Sequence, residues 1–379
     1  MTSPTREARI DIIGAGPAGL TCARILQRHG IPVTVHDRDA GPDTRDQGGS
    51  LDLRADSGQL ALREAGLLDA FLRLSRPEGQ EMRILGTGGE LRARIVPEEG
   101  ELFKPEIDRG RLRDLLLDSL APGTVRWGQA LTHVSGAAGG PRRLHFADRS
   151  TVETDLVIGA DGAFSRVRPA VSPAVPQYTG VSFTEAWFHA VDDRHTELSA
   201  LVGPGSATAA DGRRALWGQR SSGDHIRVYI IRQVPAGWIT ATGLRPHDTA
   251  GIRAHLLDEF AGWSPRLRRM ISDNDGRYVD RPIFALPVPH LWDHDPTVTL
   301  LGDAAHLMPP LGVGVNLAML DAAELALALA GSTTIDEAVR AYEDTMLPRS
   351  TEAAKLLEGR VEDLLSDDLP PEFGDDHSD

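Results

Sequence analysis

The sequence contains very little cysteine and lysine. A single cysteine, Cys22, stands among 379 residues, so the chain cannot form an internal disulfide or supply a cysteine-based zinc or iron–sulfur site. Lys104 and Lys355 are the only lysines, which leaves few candidates for Schiff-base chemistry. Neither disulfides nor a structural metal are therefore expected to organise this fold.

Positive charge and long apolar runs are also scarce. The formal net charge is −15 and no basic run offsets it, which argues against nucleic acids and anionic lipid surfaces as partners. No stretch approaches the roughly 20 uninterrupted apolar residues of a membrane span, and residues 1–9 are polar rather than the start of a signal peptide. We therefore expect a cytoplasmic protein whose length suits two or three domains.

The N-terminal part has the pattern of a strand, a helix and a second strand. Residues 8–13 are rich in isoleucine, residues 17–29 have helical composition, and residues 32–36 form another short run. Such a βαβ unit belongs to a parallel sheet. The short apolar runs at 155–159 and 297–301 are expected to return to that sheet as buried strands. The fold class is therefore expected to be α/β.

The rest of the chain has a β-rich region followed by a helical region. Residues 179–242 favour a β-sheet layer, because apolar residues alternate along 225–234. Residues 316–330 consist of strong helix formers, and residues 335–365 form a second long helical stretch. The acidic residues 366–379 are expected to be a disordered tail.

The turn after the first strand has the sequence G-A-G-P-A-G. Gly14 permits a tight turn, Gly16 lets the backbone approach a pyrophosphate, and Gly19 allows the helix to pack closely on the strand. Asp37 follows the second strand, where a carboxylate can accept both hydroxyls of an adenosine ribose. The spacing predicts a dinucleotide site, and the alternative is a glycine turn beside a surface aspartate.

Residues 301–316 carry a second motif. The segment L-G-D-A-A-H-L-M-P-P-L-G-V-G-V-N resembles the G-D-A-A-H…P…G-x-N motif of the class A flavin monooxygenases. The resemblance implies that Asp303 binds the ribityl chain of FAD, whereas a helix N-cap is the alternative for this aspartate. A helix beginning near Asn316 would direct its N–H groups at the flavin, and Gly312 and Gly314 would let that backbone come close.

A third motif follows the predicted strand at 155–159. The segment G-A-D-G-A-F-S-R-V-R resembles the D-G motif of the same family, which is associated with both FAD and NAD(P)H. The resemblance implies that Asp161 lies at the cofactor site. The alternative is a strand that ends in an ordinary Asp-Gly turn.

Two further segments, R-D-Q-G-G-S-L-D-L from Arg45 and P-E-I-D-R-G-R-L-R ending at Arg113, narrow the resemblance. They are similar to stretches of the tetracycline-inactivating flavin monooxygenases, and the likeness runs from about residue 10 to 365. It implies that Arg45 lies near the flavin ring and contributes to NADPH use, and that Asp52 and Arg109 contact FAD. Arg113 is a further candidate, with surface ion pairing as its alternative.

The predicted cofactor-binding residues all lie in or directly beside these motifs. They are Gly14, Gly16, Ala18, Gly19, Asp37, Arg38, Arg45, Asp52, Arg109, Asp161, Asp303, Pro310, Gly312, Gly314, Val315 and Asn316. The loop departs from the family's usual G-Q-G-x-N, because it is one residue shorter on its N-terminal side and has Val313 in place of glutamine. Either the position or the mobility of the flavin is therefore expected to differ from that in the family.

Substrate residues are less well defined by the resemblance. Glu185 aligns where the tetracycline enzymes carry a substrate-binding glutamine, and their substrate arginine falls near Arg213 or Arg214. Aromatic and apolar side chains of this region could line a pocket or be plain core. The candidate substrate residues are Glu185, Arg214, Trp217 and Leu311.

No metal site is expected. His290 and His294 alternate with aspartates in a metal-like composition, but the surrounding prolines argue against a helical pairing of the two imidazoles. Cys22 is expected to be a small buried residue of the first helix.

The resemblance implies the aromatic hydroxylase fold, a Rossmann-like FAD-binding domain with a β-sheet substrate domain and a long C-terminal helix. The expected boundaries are residues 1–75, 102–172 and 281–330 for the FAD-binding domain, 76–101 and 173–280 for the substrate domain, and 331–379 for the C-terminal helix and tail. We expect a monomer.

The implied function is an NAD(P)H- and O2-dependent FAD monooxygenase that hydroxylates an aromatic or polyketide-like substrate through a C4a-hydroperoxyflavin. Tetracycline-type antibiotics are among the implied substrates. One alternative is a flavin reductase or dehydrogenase without oxygen insertion, and another is a non-catalytic binding protein of the GDP-dissociation-inhibitor type. A flavin halogenase is disfavoured, because the tryptophans never stand two residues apart as in W-x-W-x-I-P.

Overall fold

The computed structural model describes residues 8–44 and 48–366. Its strands, in chain order, are β1 (Ile10–Ile13), β2 (Thr34–His36), β3 (Ser50–Asp52), β4 (Met82–Leu85), β5 (Leu91–Ile95), β6 (Glu106–Asp108), β7 (Val125–Arg126), β8 (Leu131–Ser135), β9 (Arg142–Phe146), β10 (Thr151–Thr154), β11 (Leu156–Gly159), β12 (Gln177–His189), β13 (Ser206–Ala210), β14 (Arg214–Ser221), β15 (His225–Gln233), β16 (Val279–Ala285) and β17 (Val298–Leu300). Its α-helices are α1 (Pro17–Arg28), α2 (Gly58–Ala65), α3 (Leu68–Leu74), α4 (Arg109–Asp118), α5 (Val191–Arg194), α6 (Thr196–Val202), α7 (Trp238–Ala241), α8 (Thr249–Glu259), α9 (Pro265–Ser272), α10 (Asp303–His306), α11 (Gly314–Gly331) and α12 (Ile335–Leu357). Short 3-10 segments lie at Pro77–Gln80, Arg168–Ala170 and Arg360–Leu365.

The described residues divide into two compact units. The first takes its residues from 1–75, 109–177 and 284–358, and the second from 76–108, 178–283 and 359–379. Residues from 331 onward were predicted to form a separate segment. In the structure α12 belongs to the first unit, where it packs against α11.

A parallel sheet with strand order β17-β11-β1-β2-β7 forms the centre of the first unit. Ile10, Ile12 and Val35 are completely or almost completely buried, as expected for strands covered on both faces. A second, antiparallel sheet, β10-β9-β8, belongs to the same unit. The predicted βαβ unit and the return of residues 155–159 and 297–301 to the first sheet are confirmed.

Helix α11 is the most apolar long helix of the first unit. By length and composition it is the one helix of the described residues that could cross a membrane, with a mean hydropathy of 1.4. Asp321 and Glu324 interrupt its apolar sequence, and the helix packs against α1, α2 and α12. Helix α11 is therefore packed among other helices of the first unit.

The C-terminal helix is shorter than predicted. Helical periodicity continues in the sequence to residue 365, but α12 ends at Leu357. Glu358 has an extended backbone with ψ 125°, which ends the helix, and the left-handed Gly359, with φ +76°, leads into a 3-10 segment. In that segment Leu365 is buried among residues of the second unit. The predicted acidic tail beyond residue 366 lies outside the described residues.

The second unit is built on a mixed sheet with strand order β16-β12-β15-β14-β13-β4-β5. Helices α8 and α9 cover one face, where Phe188, Val228 and Ile230 are completely buried. The opposite face carries a smaller apolar cluster that includes Phe183 and Ile231. The predicted β-sheet layer is confirmed, and Phe188 belongs to the core rather than to a pocket.

Candidate functional site

The carboxyl ends of four parallel strands bring the predicted motifs to one edge of the first unit's sheet. Gly14 follows β1, Asp37 follows β2, Asp161 lies just beyond β11, and Asp303 lies just beyond β17. Following the strand order, these residues lie along the edge in the order Asp303, Asp161, Gly14 and Asp37. Three strand spacings separate the two ends, about 14 Å at roughly 4.8 Å per strand. This edge can accommodate an elongated ligand.

The glycine turn has the geometry that its sequence predicts. Gly14 has φ +111°, and a Cβ atom on it would lie 2.3 Å from the carbonyl oxygen of Ala160. A Cβ on Gly19 would lie 2.0 Å from the carbonyl oxygen of Gly14, so α1 packs against the turn at that point. Gly16, by contrast, faces open space, and no described side chain caps the start of α1. The first-turn N–H groups are therefore available to an anion.

Asp37 is buried next to this turn. Its Oδ2 accepts the N–H of Ala15 at 2.7 Å, and its Oδ1 accepts the N–H of Asp39 at 2.8 Å. These bonds fix the orientation of the carboxylate and leave each oxygen a further lone pair for a ligand hydroxyl. Arg38, which precedes Asp39, is exposed.

Arg113 supports the glycine turn rather than projecting toward a ligand. It is 2% exposed, and its guanidinium donates to the carbonyl oxygens of Ala15 at 3.2 Å and Pro42 at 2.5 Å. The same group lies over the Trp127 ring, 5.2 Å from its centroid. Its guanidinium also lies 3.9 Å from the carboxylate of Asp39, so the ion pair that was its alternative is present but buried rather than at the surface.

The carboxylate of Asp161 is hydrogen-bonded within its own turn. It accepts the Ser165 hydroxyl at 2.5 Å and the backbone N–H of Arg166 at 2.6 Å. Burial raises the pKa of Asp161, although these hydrogen bonds act in the opposite direction. Its contacts are those of an Asp-Gly turn that shapes the backbone, with Gly162 at φ +80°.

Arg168 is a residue of this motif to which the sequence analysis gave no role. It is 2% exposed and donates to the carbonyl oxygens of Ala304 at 2.8 Å and Asp303 at 3.0 Å. It also donates to Ala163, so it connects the turn after β11 to the turn after β17. Burial lowers the pKa of Arg168, and the carboxylates of Asp161 and Asp303 act against this.

Asp303 is the first residue of the short helix α10. The N-cap position is occupied by Gly302, so the predicted N-cap alternative for Asp303 is wrong. The aspartate is exposed, and its carboxylate accepts no hydrogen bond from the residues that the structure describes. A Cβ on Gly314 would lie 4.0 Å from Asp303 Oδ1, which places the carboxylate beside the start of α11.

Asn316 connects the glycine loop to the segment around Asp52. Its Oδ1 accepts the N–H of Arg54 at 2.8 Å, and its Nδ2 donates to the carbonyl oxygens of Asp52 at 3.0 Å and Gly312 at 3.4 Å. Helix α11 begins at Gly314, two residues before the predicted start, and Asn316 is 1% exposed. The buried Asn316 side chain therefore joins residues 52–54 to Gly312, and we call this set of hydrogen bonds the Asn316 clamp.

The loop before α11 is open toward its surroundings. Gly312 has φ +86°, and a Cβ on it would meet no atom within 4 Å. Pro310 and Gly312 are exposed, whereas Leu311 and Val315 are half-buried. No described side chain caps α11, so its first N–H groups are also available.

The remaining cofactor candidates are less defined by their contacts. Arg109 is exposed at the start of α4, and its backbone N–H donates to the carbonyl oxygen of Gly49 at 3.0 Å. Asp52 is half-buried at the end of β3. Arg45 lies outside the described residues.

The substrate candidates of the second unit lie on two different faces of its sheet. Glu185, Tyr229 and Trp217 are direct neighbours across β12, β15 and β14, so they share one face. Glu185 is 8% exposed and lies 3.8 Å from the guanidinium of Arg227, which stacks on Trp187. The sequence alignment did not single out Arg227.

Arg214 lies on the other face of the same sheet. It is three residues from Trp217 on one strand, and an odd separation reverses the direction of the side chain. Its Nε donates to Asp211 at 2.8 Å, and its guanidinium lies over the Phe260 ring of the helix-covered core. The structure therefore does not bring Arg214 together with Glu185.

The two histidines considered as metal ligands have structural partners. The ring of His290 contacts the carbonyl oxygen of Ala305 at 2.5 Å and the hydroxyl of Ser172 at 2.9 Å. His294 lies between the carboxylates of Glu343 and Asp336, each at 2.8 Å. Within residues 8–44 and 48–366, no group of three or more His, Cys, Asp and Glu side chains is arranged to hold a metal.

The sequence matches one family model and several characterised proteins. The family is described as an FAD binding domain, and it matches residues 7–208 and 290–356. The chain is 32% identical over 411 residues to a monooxygenase, penA, from Penicillium thymicola, with 93% of this chain and 94% of that protein covered. It is 29% identical to 3-amino-4-hydroxybenzoate 2-monooxygenase from Streptomyces cremeus, with 96% and 90% covered.

Solved structures share the fold. HpxO from Klebsiella pneumoniae, crystallised with FAD and uric acid, superposes with a TM-score of 0.80 at 23% identity, covering 96% of this chain and 90% of that chain. The tetracycline destructase Tet(55) superposes with a TM-score of 0.72 at 21% identity, covering 98% and 93%.

The chain therefore belongs to the family described as FAD binding domain, and it is a class A flavin monooxygenase with FAD as its cofactor. This decides against the non-catalytic alternative and against a reductase without oxygen insertion. The residues at the sheet edge fit the cofactor chemically: open N–H groups suit a pyrophosphate, and the carboxylates on either side suit the hydroxyls of a ribose and a ribityl chain.

Proposed function

We propose that this enzyme uses NAD(P)H and O2 to hydroxylate an electron-rich aromatic or enolic ring of a small or polycyclic substrate. The observation that carries the proposal is the exposed Asp303 carboxylate, which accepts no hydrogen bond from the described residues and lies beside the open loop before α11. A carboxylate in this state is available to a ligand bearing hydroxyl groups.

In this proposal each end of the sheet edge binds a different part of FAD. Asp37 accepts the ribose hydroxyls, and the first-turn N–H groups at Ala18 and Gly19 bind the pyrophosphate. Asp303 would accept hydroxyls of the ribityl chain, and the backbone of residues 312–316 would contact the flavin. Arg109 and Asp52 supply further contacts, as the family resemblance implies.

When bound, FAD supplies hydride acceptance from NAD(P)H and activation of O2. The chain's own contribution is to position the cofactor, exclude water and stabilise negative charge. The uncapped N-terminus of α11 offers N–H groups and the positive end of the helix dipole to the part of the flavin where charge collects on reduction. No acid or base side chain is assigned.

The substrate class is supported by the relatives and by the second unit. A relative with 29% identity is named for 3-amino-4-hydroxybenzoate, which is a small electron-rich aromatic acid. The sheet face with Glu185, Tyr229 and Trp217 combines aromatic rings with one buried carboxylate, which suits a ring with polar substituents. Tetracycline stays a second candidate, because the segments from Arg45 and before Arg113 resemble tetracycline-inactivating enzymes.

The first experiment is mass spectrometry of candidate substrates incubated with enzyme, FAD and air, with NADPH or NADH. The panel contains 3-amino-4-hydroxybenzoate, uric acid and tetracycline. A gain of one oxygen atom that requires both reductant and enzyme supports the proposal and identifies the substrate. Reductant consumption that yields only hydrogen peroxide with every compound would exclude this panel.

The cofactor assignment is tested by Asp303→Ala. A hydrogen bond to a charged group contributes about 1.5–3 kcal/mol, so we expect the dissociation constant of FAD to rise by about 10- to 100-fold. Asp69→Ala is the matched control, because Asp69 is also an exposed aspartate in the first turn of a short helix. Unchanged FAD affinity in folded Asp303→Ala protein would count against the assignment.

We also propose a monomeric, cytoplasmic enzyme. The net charge of −15 disfavours close association of identical copies. Size-exclusion chromatography with light scattering measures the mass directly, and a mass of two chains would overturn the monomer.

A further inference from the structure

A buried carboxylate in the middle of helix α11 contacts the turn that carries Asp303. Asp321 is 1% exposed. Its Oδ2 accepts the backbone N–H of Gly302 at 3.0 Å and lies 2.6 Å from Nε2 of His306. Its Oδ1 accepts from the guanidinium of Arg349 on α12 at 2.8 Å, and Arg349 also pairs with Glu324. Asp321 is therefore the centre of a network that links three segments.

The two groups that Asp321 holds bracket the residue proposed to bind the ribityl chain. Gly302 directly precedes Asp303, and His306 ends the same short helix. Gly302 has φ +55° and ψ −137°, and a Cβ on it would lie 2.7 Å from the Cβ of Ala318. The turn is thus pressed against α11 one helical turn before Asp321, in a conformation that favours glycine.

The opposite side of this turn is held by a cation. Arg168 donates to the carbonyl oxygens of Asp303 and Ala304, as described above. Asp321 therefore binds an N–H of the turn while Arg168 binds its carbonyls. These contacts fix, from both sides, the backbone from which the Asp303 side chain extends.

The charge arrangement is unusual for a core helix. Helix α11 is otherwise rich in alanine and leucine, and a buried ion pair adds little to stability compared with apolar residues of similar volume. Burial opposes the charge on His306, but the adjacent Asp321 outweighs it and raises the pKa of the imidazole. A charged network kept at this place is better explained by the geometry that it imposes than by stability.

We infer that Asp321 is a positioning residue for FAD, acting through the Gly302–His306 turn on Asp303. The inference rests on the proposed role of Asp303. Arg349 contributes by orienting the Asp321 carboxylate from α12.

The test compares FAD binding with folding in Asp321→Asn. The dissociation constant of FAD is measured on apoprotein by flavin fluorescence, and the melting temperature of the apoprotein is measured by circular dichroism. Glu343→Gln is the matched control, since Glu343 is also a buried carboxylate of the first unit, but it binds Thr299, Trp292 and His294 rather than the turn. We expect FAD affinity to fall by about tenfold or more in Asp321→Asn, the size of one lost hydrogen bond to a charged group. In Glu343→Gln it should stay within about threefold at a comparable loss of melting temperature.

A double variant separates positioning from a general structural effect. If Asp321 acts through Asp303, then Asp321→Asn should weaken FAD binding much less in an Asp303→Ala background than in the wild type. Equal fold-changes in both backgrounds would overturn the inference. Should Asp321→Asn fail to fold, Arg349→Gln serves instead, because this arginine is less buried and the same loss of coupling is expected.

The outcomes also distinguish this inference from the proposed function. If Asp303→Ala binds FAD like the wild type, the proposed role of Asp303 fails first. If Asp303→Ala weakens binding but Asp321→Asn does not, only the positioning role of Asp321 is overturned.

Discussion

The substitution Asn316→Asp probes the clamp between the glycine loop and the Asp52 segment. Asparagine and aspartate have nearly the same size, so the substitution keeps the packing and both acceptor bonds, from the N–H groups of Arg54 at 2.8 Å and Gly58 at 3.3 Å. It replaces the Nδ2 donor with an oxygen that faces the carbonyl oxygens of Asp52 and Gly312. The change is therefore confined to two hydrogen bonds and one charge.

The expected loss of stability follows from these contacts. A buried group left without its partner costs about 1–3 kcal/mol, and two carbonyls lose their donor here. The charge of the introduced carboxylate can add at most about 4 kcal/mol at pH 7 to the loss of its protonated form, because beyond that limit the carboxyl binds a proton, which needs a pKa about 3 units above the ordinary 3.9. We therefore expect the free energy of unfolding to fall by about 2–4 kcal/mol at pH 7.

The loss should depend on pH in one direction. Burial beside two carbonyls raises the pKa of the introduced carboxyl above its unfolded value. The protonated form supplies one O–H donor, so the deficit is smallest below about pH 4, grows as the pH rises, and is constant above the folded pKa. Urea denaturation of apoprotein between pH 4.5 and 8 measures this difference from the wild type.

The same variant should weaken FAD binding, because Gly312 loses its tether and the loop before α11 is released. Asn274→Asp is the matched control. Asn274 is 6% exposed in the second unit, accepts the N–H of Trp187 at 2.9 Å and donates to Gly276 at 2.9 Å. Both variants should lose stability, and only Asn316→Asp should lose FAD affinity, by about tenfold or more. Equal FAD affinity of the two variants would refute the role of the clamp.

Two further predictions concern the glycine turn and a histidine. Gly16→Ala should leave the melting temperature of the apoprotein nearly unchanged, because the φ of −86° is ordinary and an added Cβ meets no atom within 4 Å. The same substitution should weaken FAD binding several-fold, since the backbone at this position is expected to approach the pyrophosphate. An unchanged FAD titration would contradict this prediction. Burial opposes the charge on His294, but hydrogen bonds to Glu343 and Asp336 outweigh it and raise its pKa above 6.5. The charged His294 contributes its full stabilisation below pH 6.5, and this stabilisation is lost as the pH rises through the pKa of the folded state. The difference in the free energy of unfolding between the wild type and His294→Gln, measured by urea denaturation, should therefore shrink toward pH 9. A constant difference would contradict it.

The parts of the structure that the sequence predicted correctly depend on neighbours close in the chain. The roles of Gly14 and Gly19 follow from a turn of a few residues, and their contacts with Ala160 and with each other match those roles. The buried strands at 155–159 and 297–301 were recognisable because parallel strands covered on both faces consist of continuous apolar runs. Their order in the sheet then brought the motifs to one edge.

The parts that were missed depend on distant partners or on exact register. Arg214 was placed with Glu185 by alignment, but a strand reverses its side chains at each residue, so three positions from Trp217 reach the opposite face. Arg168 donates to residues 135 and 136 positions away, and no local pattern indicates such a partner. The end of α12 was missed because the backbone becomes extended at Glu358 and left-handed at Gly359, although the periodicity of the sequence continues beyond them.

The spatial order of carboxylates and N–H groups along the sheet edge is consistent with a flavin dinucleotide as the ligand. Carboxylates at Asp37 and Asp303 would repel phosphate, and the uncapped N-terminus of α1 would gain little from a neutral hydroxyl. In the proposed arrangement, the order of acceptor, donor and acceptor along about 14 Å would favour a ligand with hydroxyl groups toward both ends and an anion between them. FAD has this order, with a ribose, a pyrophosphate and a ribityl chain. Because Asp37 is fixed by the glycine turn and Asp303 by the Gly302–His306 turn, the two ends are oriented independently. Loss of one end should leave the geometry of the other intact.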